Sequence, residues 1–330
     1  MNPKEWSPID LDVPGFGTLT GLCFDNNVCQ GHYPVMIFMH GGAFVYAAGG
    51  AAIYDGRALA DISQQLNEPT IIISVNFRLG VFGFLASKEI QEYNIEFGES
   101  GVGNYGLWDQ IEALRWVQNN IRAFGGDPGR VTFFGQSAGG VSANVHLLRN
   151  EPLFSSTIIQ SGLLPLCGVM TVEQYQVIYD KMLTELKIST ELPPRERLQR
   201  LVEMDEDKVT AAMVPVCVIP VITFSPCDDN VLIGQPMPKY SDYSSFKAPA
   251  WCQRIIIGDV KNEFDKSGKI MVFQPGEGVL KTVEEDSARG YKKWEEIERI
   301  GLLNDFHRLS DELYSMEAYG IKPKPRAAGI

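Results

Sequence analysis

The stretch FFGQSAGG, residues 133–140, places a serine between two glycines directly after apolar residues. The segment RVTFFG (130–135) is typical of a buried strand, and AGGVSANVHLLR (138–149) is typical of a helix. A nucleophilic serine needs a sharp turn between a strand and a helix, and flanking glycines remove side chains that would collide there. The backbone N–H of Ala138 then lies at a helix start, where it can face a developing oxyanion. The pattern predicts that Ser137 is a nucleophile and not merely a helix cap.

A second glycine motif, HGGAF at residues 40–44, follows the apolar run VMIFMH (35–40). A strand that ends in His-Gly-Gly exposes backbone N–H groups on a loop that can approach a substrate closely. Glycine-rich loops are common, but this one precedes the serine turn in the order that serine hydrolases of the α/β type require. The two motifs together predict an oxyanion-binding site.

The rest of the chain indicates an α/β protein. Of its 330 residues, 45% are hydrophobic, which is ample for a large core. Apolar, β-branched runs predict further buried strands at 35–40, 70–77, 156–162 and 254–259. Apolar residues at helical spacing predict one long helix at 107–124. Buried strands separated by helices imply a mostly parallel sheet with helices on both faces.

Two segments differ from this alternation. Residues 171–213 are charged, helical and interrupted by proline, which predicts a helical excursion that covers the sheet or its pocket. Residues 286–317 predict a carboxyl-terminal tail of two amphipathic helices. We treat residues 1–330 as a single domain.

Charge and cysteine content exclude several function classes. The net charge of −12 argues against nucleic acid, since phosphate binding needs an excess of Lys and Arg. No apolar run reaches the ~18 residues of a membrane span, and the amino-terminal residues carry no secretory-type apolar segment, so we expect a cytoplasmic protein. The six cysteines show no C-x-x-C spacing, which argues against a zinc site, and we expect neither a metal nor a cofactor. Their even number permits disulfides, but the expected cytoplasmic location favours free thiols.

Four segments between residues 33 and 163 together resemble the type-B carboxylesterase/lipase family, which also contains the cholinesterases. They are VMIFMHGGAF, ISVNFRLGVFGFL, GNYGLWDQIEALRWVQNNIRAFGGDPGRVTFFGQSAGG and LFSSTIIQSG. The resemblance implies the α/β-hydrolase fold and attack on small-molecule carboxylic esters. Residue by residue, it implies that Ser137 is the nucleophile and that Gly42, Ala43 and Ala138 form the oxyanion hole. Ala43 stands where the family often has a third glycine, but the donor is a backbone N–H.

The resemblance also implies a structural role for two charged residues and a role for one acid. Arg78 and Asp109 match a pair that forms a buried ion pair in the family. IIIGDVKNEF (255–264) resembles the strand and loop that carry the acidic member of the triad, which makes Glu263 the expected acid and leaves Asp259 and Asp265 as alternatives. A carboxylate there would fix the tautomer of a catalytic histidine.

The chain has four histidines, and none lies in the sequence context of the family's catalytic histidine. His40 is structural in the family, and His146 follows Ser137 by nine residues on one helix, about 13 Å along the axis. His32 precedes the serine and breaks the order Ser, acid, His. Only His307 follows Glu263. It lies within an amphipathic helix, where a structural histidine is the alternative interpretation, so His307 is a possible base that has no counterpart in the family.

Two internal blocks of the family have no counterpart, one near residues 30–31 and one near residues 266–270. The sequence therefore supports two functions. The first is a serine carboxylesterase, impaired unless a group such as His307 acts as base. The second is a non-catalytic binding or regulatory protein on a carboxylesterase scaffold, such as a truncated paralogue.

Overall fold

The computed structural model describes residues 11–13, 17–20, 32–149, 151–217, 223–233 and 248–258. Two sheets run through these residues, a sheet of seven strands and a separate pair. The strands are β1 (Leu11–Val13), β2 (Gly17–Thr20), β3 (Tyr33–Met39), β4 (Ile71–Val75), β5 (Gly126–Gln136), β6 (Ser156–Gln160), β7 (Met170–Thr171), β8 (Cys227–Asp228) and β9 (Arg254–Gly258).

The large sheet has the strand order β1-β2-β4-β3-β5-β6-β9. The hairpin β1–β2 runs antiparallel, and the strands from β4 to β9 in this order run parallel to one another. All five strands predicted from apolar runs are present, with ends that differ by a few residues. Because β4, β3, β5, β6 and β9 are parallel, their carboxyl ends lie at one edge of the sheet. The loops at that edge include those of both glycine motifs.

Strand β5, which lies between β3 and β6, begins earlier than the sequence predicts. Its register with β3 jumps from Tyr33 opposite Gly126 to Val35 opposite Val131. Asp127 accepts a hydrogen bond from the N–H of Gly129 at 2.9 Å within this irregular stretch. The proline of the Asp-Pro-Gly turn therefore lies in a bulge, where it removes no ladder hydrogen bond.

The described residues form nine α-helices and two short 3-10 helices. The α-helices are α1 (Arg57–Gln65), α2 (Gly80–Phe84), α3 (Lys88–Glu96), α4 (Tyr105–Asn120), α5 (Ala138–Leu148), α6 (Leu164–Cys167), α7 (Val172–Glu185), α8 (Pro194–Val202) and α9 (Glu206–Val216). The predicted helix at 107–124 is α4 followed by the 3-10 turn Ile121–Phe124, which ends at Gly125 in the left-handed conformation.

The predicted helical excursion consists of α7, α8 and α9. A capping box at Thr171 and Gln174 begins α7. The excursion packs mainly on α2 and α3 rather than over the sheet. Gly80 of α2 allows this approach, since a Cβ there would collide with the sulfur of Met213. A buried ion pair between Glu89 of α3 and Arg197 of α8 also joins the layers, at 2.5 Å.

The predicted tail at 286–317 lies outside the described residues, as do residues 21–31. Within the described ranges, no helix combines the length and apolar character needed to cross a membrane. The four cysteines in the same ranges, Cys167, Cys217, Cys227 and Cys252, are free thiols.

Candidate active site

Ser137 occupies the junction between β5 and α5 with an unusual backbone conformation. Its φ is 54° and its ψ is −120°, a region that residues with a side chain rarely adopt. Its N–H donates to the carbonyl of Gln160 at 2.9 Å, and its own carbonyl accepts from the N–H of Val141 at 2.9 Å. The serine is therefore held by backbone bonds on both sides, and its half-buried side chain makes no capping bond.

Close backbone contacts around the serine explain why the motif needs glycines. A Cβ on Gly139 would collide with the carbonyl of Met39, and a Cβ on Gly162 would collide with the carbonyl of Ser137. A Cβ on Gly135 would lie 2.7 Å from the carbonyl oxygen of Met39. The helix α5 can therefore begin directly against the ends of β3 and β6 only because these positions lack side chains.

The loop after β3 lies beside Ser137. A Cβ on Gly41 would come within 3.1 Å of the Cβ of Ser137. Gly42, Ala43 and Phe44 follow with φ values of 105°, 53° and 61°. Three successive left-handed residues turn the chain sharply, and the fully buried Phe44 anchors the turn by accepting a hydrogen bond from Gly80 at 2.6 Å.

Three backbone N–H groups at this junction make no hydrogen bond within the part of the chain that the structure describes. They belong to Gly42, Ala43 and Ala138. The N–H of Ala138 is in the first turn of α5, where a helix supplies no internal acceptor. Such groups, together with the positive end of the helix dipole, can stabilise a negative oxygen.

Two of the three described histidines are buried and engaged elsewhere. His40 donates from Nδ1 to the carbonyl of Gly41 at 2.7 Å and stacks on Phe77, and burial lowers its pKa. His146 contacts Gln110 through Nε2 at 2.8 Å, and burial, followed by the charge of Arg149, lowers its pKa to about 3.

The third, His32, precedes β3, so it lies about 20 Å from the edge that holds Ser137. Within the described ranges, no hydrogen bond joins an imidazole to the hydroxyl of Ser137.

Arg78 and Asp109 form the ion pair that the resemblance implies, but it is not buried. The guanidinium donates from Nε and Nη2 to the carboxylate at 2.8 and 2.6 Å, and the backbone N–H of Arg78 adds a bond at 3.0 Å. The arginine side chain is 53% exposed and the aspartate 27%. One side of the guanidinium covers the ring of Tyr105, at 5.5 Å from its centroid, and much of the remainder faces solvent. The pair joins the start of α4 to the loop after β4.

The expected acid and base lie outside the described residues. These are Glu263, the alternatives Asp259 and Asp265, and His307. The structure does describe the strand before them. β9 ends at Gly258, which pairs in register with Gln160, itself paired with Gln136. The chain therefore leaves β9 at the edge that holds Ser137.

The sequence analysis missed a polar contact beneath the serine turn. Gln110 lies in the apolar stripe of α4, three residues after Leu107 and four before Leu114, and is fully buried. Its side chain contacts both Ser142 and His146 of α5. A polar residue within an apolar helix stripe was the available signal, because a buried amide requires partners.

A mostly parallel sheet in which one strand ends in a serine with a positive φ, followed at once by a helix, is the architecture of the α/β hydrolases. Within that class, the chain belongs to the carboxylesterase family, whose model matches residues 24–317.

Solved structures with the same fold include a carboxylesterase of Geobacillus stearothermophilus and a PNB esterase. Each has a TM-score of 0.57, and the sequence identities are 28% and 32%. The first match covers 72% of this chain and 47% of the esterase, and the second covers 71% and 47%.

Curated relatives include two proteins of Oryctolagus cuniculus. A cocaine esterase is 41% identical over 140 residues, which is 42% of this chain and 23% of that protein. A liver carboxylesterase 1 is 42% identical over 135 residues, which is 40% of this chain and 21% of that protein. The matched part thus spans less than a quarter of these relatives.

Proposed function

We propose that this chain hydrolyses small-molecule carboxylic esters through an acyl-enzyme intermediate on Ser137. The observation that carries the proposal is the positive φ of Ser137 at the β5–α5 junction, beside three backbone N–H groups that have no hydrogen-bond acceptor among the described residues. Membership of the carboxylesterase family supports the same reaction.

The reaction would proceed in two acyl transfers. The hydroxyl oxygen of Ser137 attacks the ester carbonyl carbon and loses its proton to a base. The carbonyl oxygen becomes an oxyanion facing the N–H groups of Gly42, Ala43 and Ala138. The C–O bond to the alcohol then breaks, and the alcohol leaves with a proton. Water attacks the acyl group in the same way, which releases the acid and restores Ser137.

We propose Glu263 as the acid of the site. It follows Gly258 by five residues, which span at most about 17 Å when extended. β9 lies two strands from β5, about 10 Å across the sheet. A carboxylate at position 263 is therefore within reach of the serine edge, which supports the assignment.

We propose His307 as the base, since the described histidines are buried and engaged or lie at the far edge of the sheet. The substitution His307→Gln should then lower kcat by about 10³-fold or more. His32→Gln is the matched control, because His32 is exposed at the opposite edge of the sheet and should tolerate the change. Equal kcat values for the two variants would reject His307 as the base.

Labelling and turnover of the purified chain test the nucleophile. A fluorophosphonate should label one residue, identified as Ser137 by peptide mass spectrometry, and a short-chain nitrophenyl ester should be hydrolysed. Ser137→Ala should abolish both signals. Ser155→Ala is the control, since that hydroxyl bonds to the carbonyl of Val131 at the opposite end of the sheet. Labelling that persists in Ser137→Ala would reject the proposal.

The second candidate is a non-catalytic binding protein on the same scaffold. It is favoured by one observation, that no described imidazole contacts the serine hydroxyl. A triad enzyme without its base retains an acceleration of only about 10³–10⁴ over water. Stoichiometric labelling of Ser137 with measurable turnover would exclude this candidate, and a folded chain that shows neither would support it.

A further inference from the structure

A chain of three buried hydrogen bonds runs beneath the serine turn. His146 contacts Oε1 of Gln110 through Nε2 at 2.8 Å. The amide nitrogen of Gln110 donates to the hydroxyl of Ser142 at 3.1 Å, and that hydroxyl donates to the carbonyl of Ala138 at 2.9 Å. Ala138, Ser142 and His146 are spaced by four residues, so they share the face of α5 that meets α4.

The donor-to-acceptor direction of these three hydrogen bonds is fixed by the last acceptor, the carbonyl of Ala138. A peptide carbonyl only accepts hydrogen bonds, so the hydroxyl of Ser142 must donate its hydrogen to the carbonyl oxygen of Ala138. The hydroxyl oxygen must then accept from the amide group of Gln110. The other amide atom, Oε1, is an acceptor, so His146 must carry its proton on Nε2. Every donor therefore points toward the first turn of α5.

The first turn of α5 has little else to hold it through side chains. It consists of Ala138, Gly139 and Gly140, and each glycine weakens a helix by about 1 kcal/mol relative to alanine. The glycines allow the close backbone contacts with β3 and β6, but they supply no side-chain packing. The hydroxyl of Ser142 is thus the side-chain tether of this turn.

We propose that Ser142 and Gln110 are positioning residues that hold the peptide N–H of Ala138 in place for the oxyanion. The inference rests on the proposed function, because it assigns these residues to that same site. His146 completes the chain by orienting the amide of Gln110. Neither Ser142 nor Gln110 touches the reacting atoms, so both act through the backbone of α5.

The environment of His146 is consistent with a fixed donor. The ring packs 5.7 Å from that of Phe133 in β5 and is buried. Its low pKa keeps the ring neutral above about pH 3, and the bond to Oε1 of Gln110 places its single N–H proton on Nε2. Its Nδ1 atom has no partner among the described residues. The N–H of Nε2 is therefore the group through which His146 donates to Gln110.

The tautomer of His146 can be measured in the unmodified protein. Nitrogen NMR of the histidine-labelled chain between pH 5 and pH 8 should show His146 with a protonated Nε2 and an unprotonated Nδ1. The opposite tautomer, or a mixture of tautomers, would overturn the inference, because the amide of Gln110 would no longer be oriented. This measurement requires no catalytic activity.

Two matched pairs of variants test the effect on the site. Ser142→Ala is compared with Thr157→Val, which removes another buried hydroxyl that donates to a backbone carbonyl at 2.9 Å. Gln110→Leu is compared with Gln118→Leu, on the same helix, whose amide bonds to the carbonyls of Pro128 and Leu153. We expect Ser142→Ala and Gln110→Leu to lower kcat about tenfold while KM changes less than about twofold. The controls should retain kcat, and equal losses in a matched pair would overturn the inference.

A structural readout separates this inference from the proposed function. The N–H of Val141 donates to the carbonyl of Ser137 across the first turn of α5. Its hydrogen exchange should be about tenfold faster in Ser142→Ala than in Thr157→Val. If the wild-type chain neither turns over esters nor labels at Ser137, the proposed function fails, while exchange at Val141 still reports whether Ser142 tethers the turn. Unchanged exchange would overturn the tether.

Discussion

The burial of His146 predicts a specific loss of stability in mild acid. Burial lowers its pKa in the folded protein to about 3, while in the unfolded chain it has its ordinary value of 6.5. Between these values the unfolded chain binds a proton that the folded chain does not, so the free energy of unfolding falls as the pH falls below 6.5. The stability is complete above pH 6.5 and declines until the folded protein also binds the proton, near pH 3.

The size of the effect follows from the two pKa values. Each pH unit in this window costs about 1.4 kcal/mol, so the descent from pH 6.5 to pH 5 costs about 2 kcal/mol. The substitution His146→Gln removes the titrating ring but leaves an amide N–H that can donate to Gln110. The free energy of unfolding of the wild type minus that of this variant should therefore fall by about 2 kcal/mol from pH 7 to pH 5.

Urea unfolding followed by tryptophan fluorescence at pH 7, 6 and 5 measures this difference. Comparison with the variant cancels other groups that titrate in both proteins, including His40. Parallel pH dependences, within about 0.5 kcal/mol, would refute the reasoning, because they would mean that the ring is protonated equally in the folded and unfolded chains.

Two further substitutions probe the contacts that shape the site and its surroundings. Gly139→Ala should cost about 3 kcal/mol or more in urea unfolding, because its Cβ would collide with the carbonyl of Met39. Glu89→Gln should cost about 3 kcal/mol in the same assay, because it leaves Arg197, which is 15% exposed, without its charged partner.

Each of these two changes has a control of the same chemistry. Gly258→Ala should shift stability by less than about 1 kcal/mol, since a Cβ there meets no atom within 4 Å. Glu96→Gln breaks an exposed pair with Arg195 and should cost less than about 1 kcal/mol. A control that costs as much as its partner would contradict the corresponding argument.

The sequence was sufficient to predict the central sheet and the serine turn. Apolar runs located β3, β4, β5, β6 and β9, because such runs are typical of strands in a parallel sheet. The predicted burial is complete only for β4, and β9 is largely exposed in the described part of the chain. The glycines around Ser137 predicted a sharp turn, and the structure has a left-handed residue at that position. Apolar runs and flanking glycines are both local features of the sequence, so they do not depend on contacts between distant residues.

Features that depend on distant contacts were not predicted correctly. The exposure of the pair formed by Arg78 and Asp109 depends on what covers the loop after β4, which no local pattern encodes. The early start of β5 depends on its pairing with Tyr33 across a bulge. The role of Gln110 was missed because an isolated glutamine in an apolar stripe resembles a tolerated irregularity until its partners on α5 are known.

The proposed oxyanion site uses only main-chain donors, which limits how the chain can vary there. Side-chain replacement at positions 42, 43 or 138 retains the N–H, except for proline, so such variants would alter the local geometry and not delete a functional group. Alanine scanning passes over Ala43 and Ala138, which are already alanine. At Gly42 it adds a Cβ that would collide with the carbonyl of Tyr46, so it reports a steric clash and not the loss of a donor.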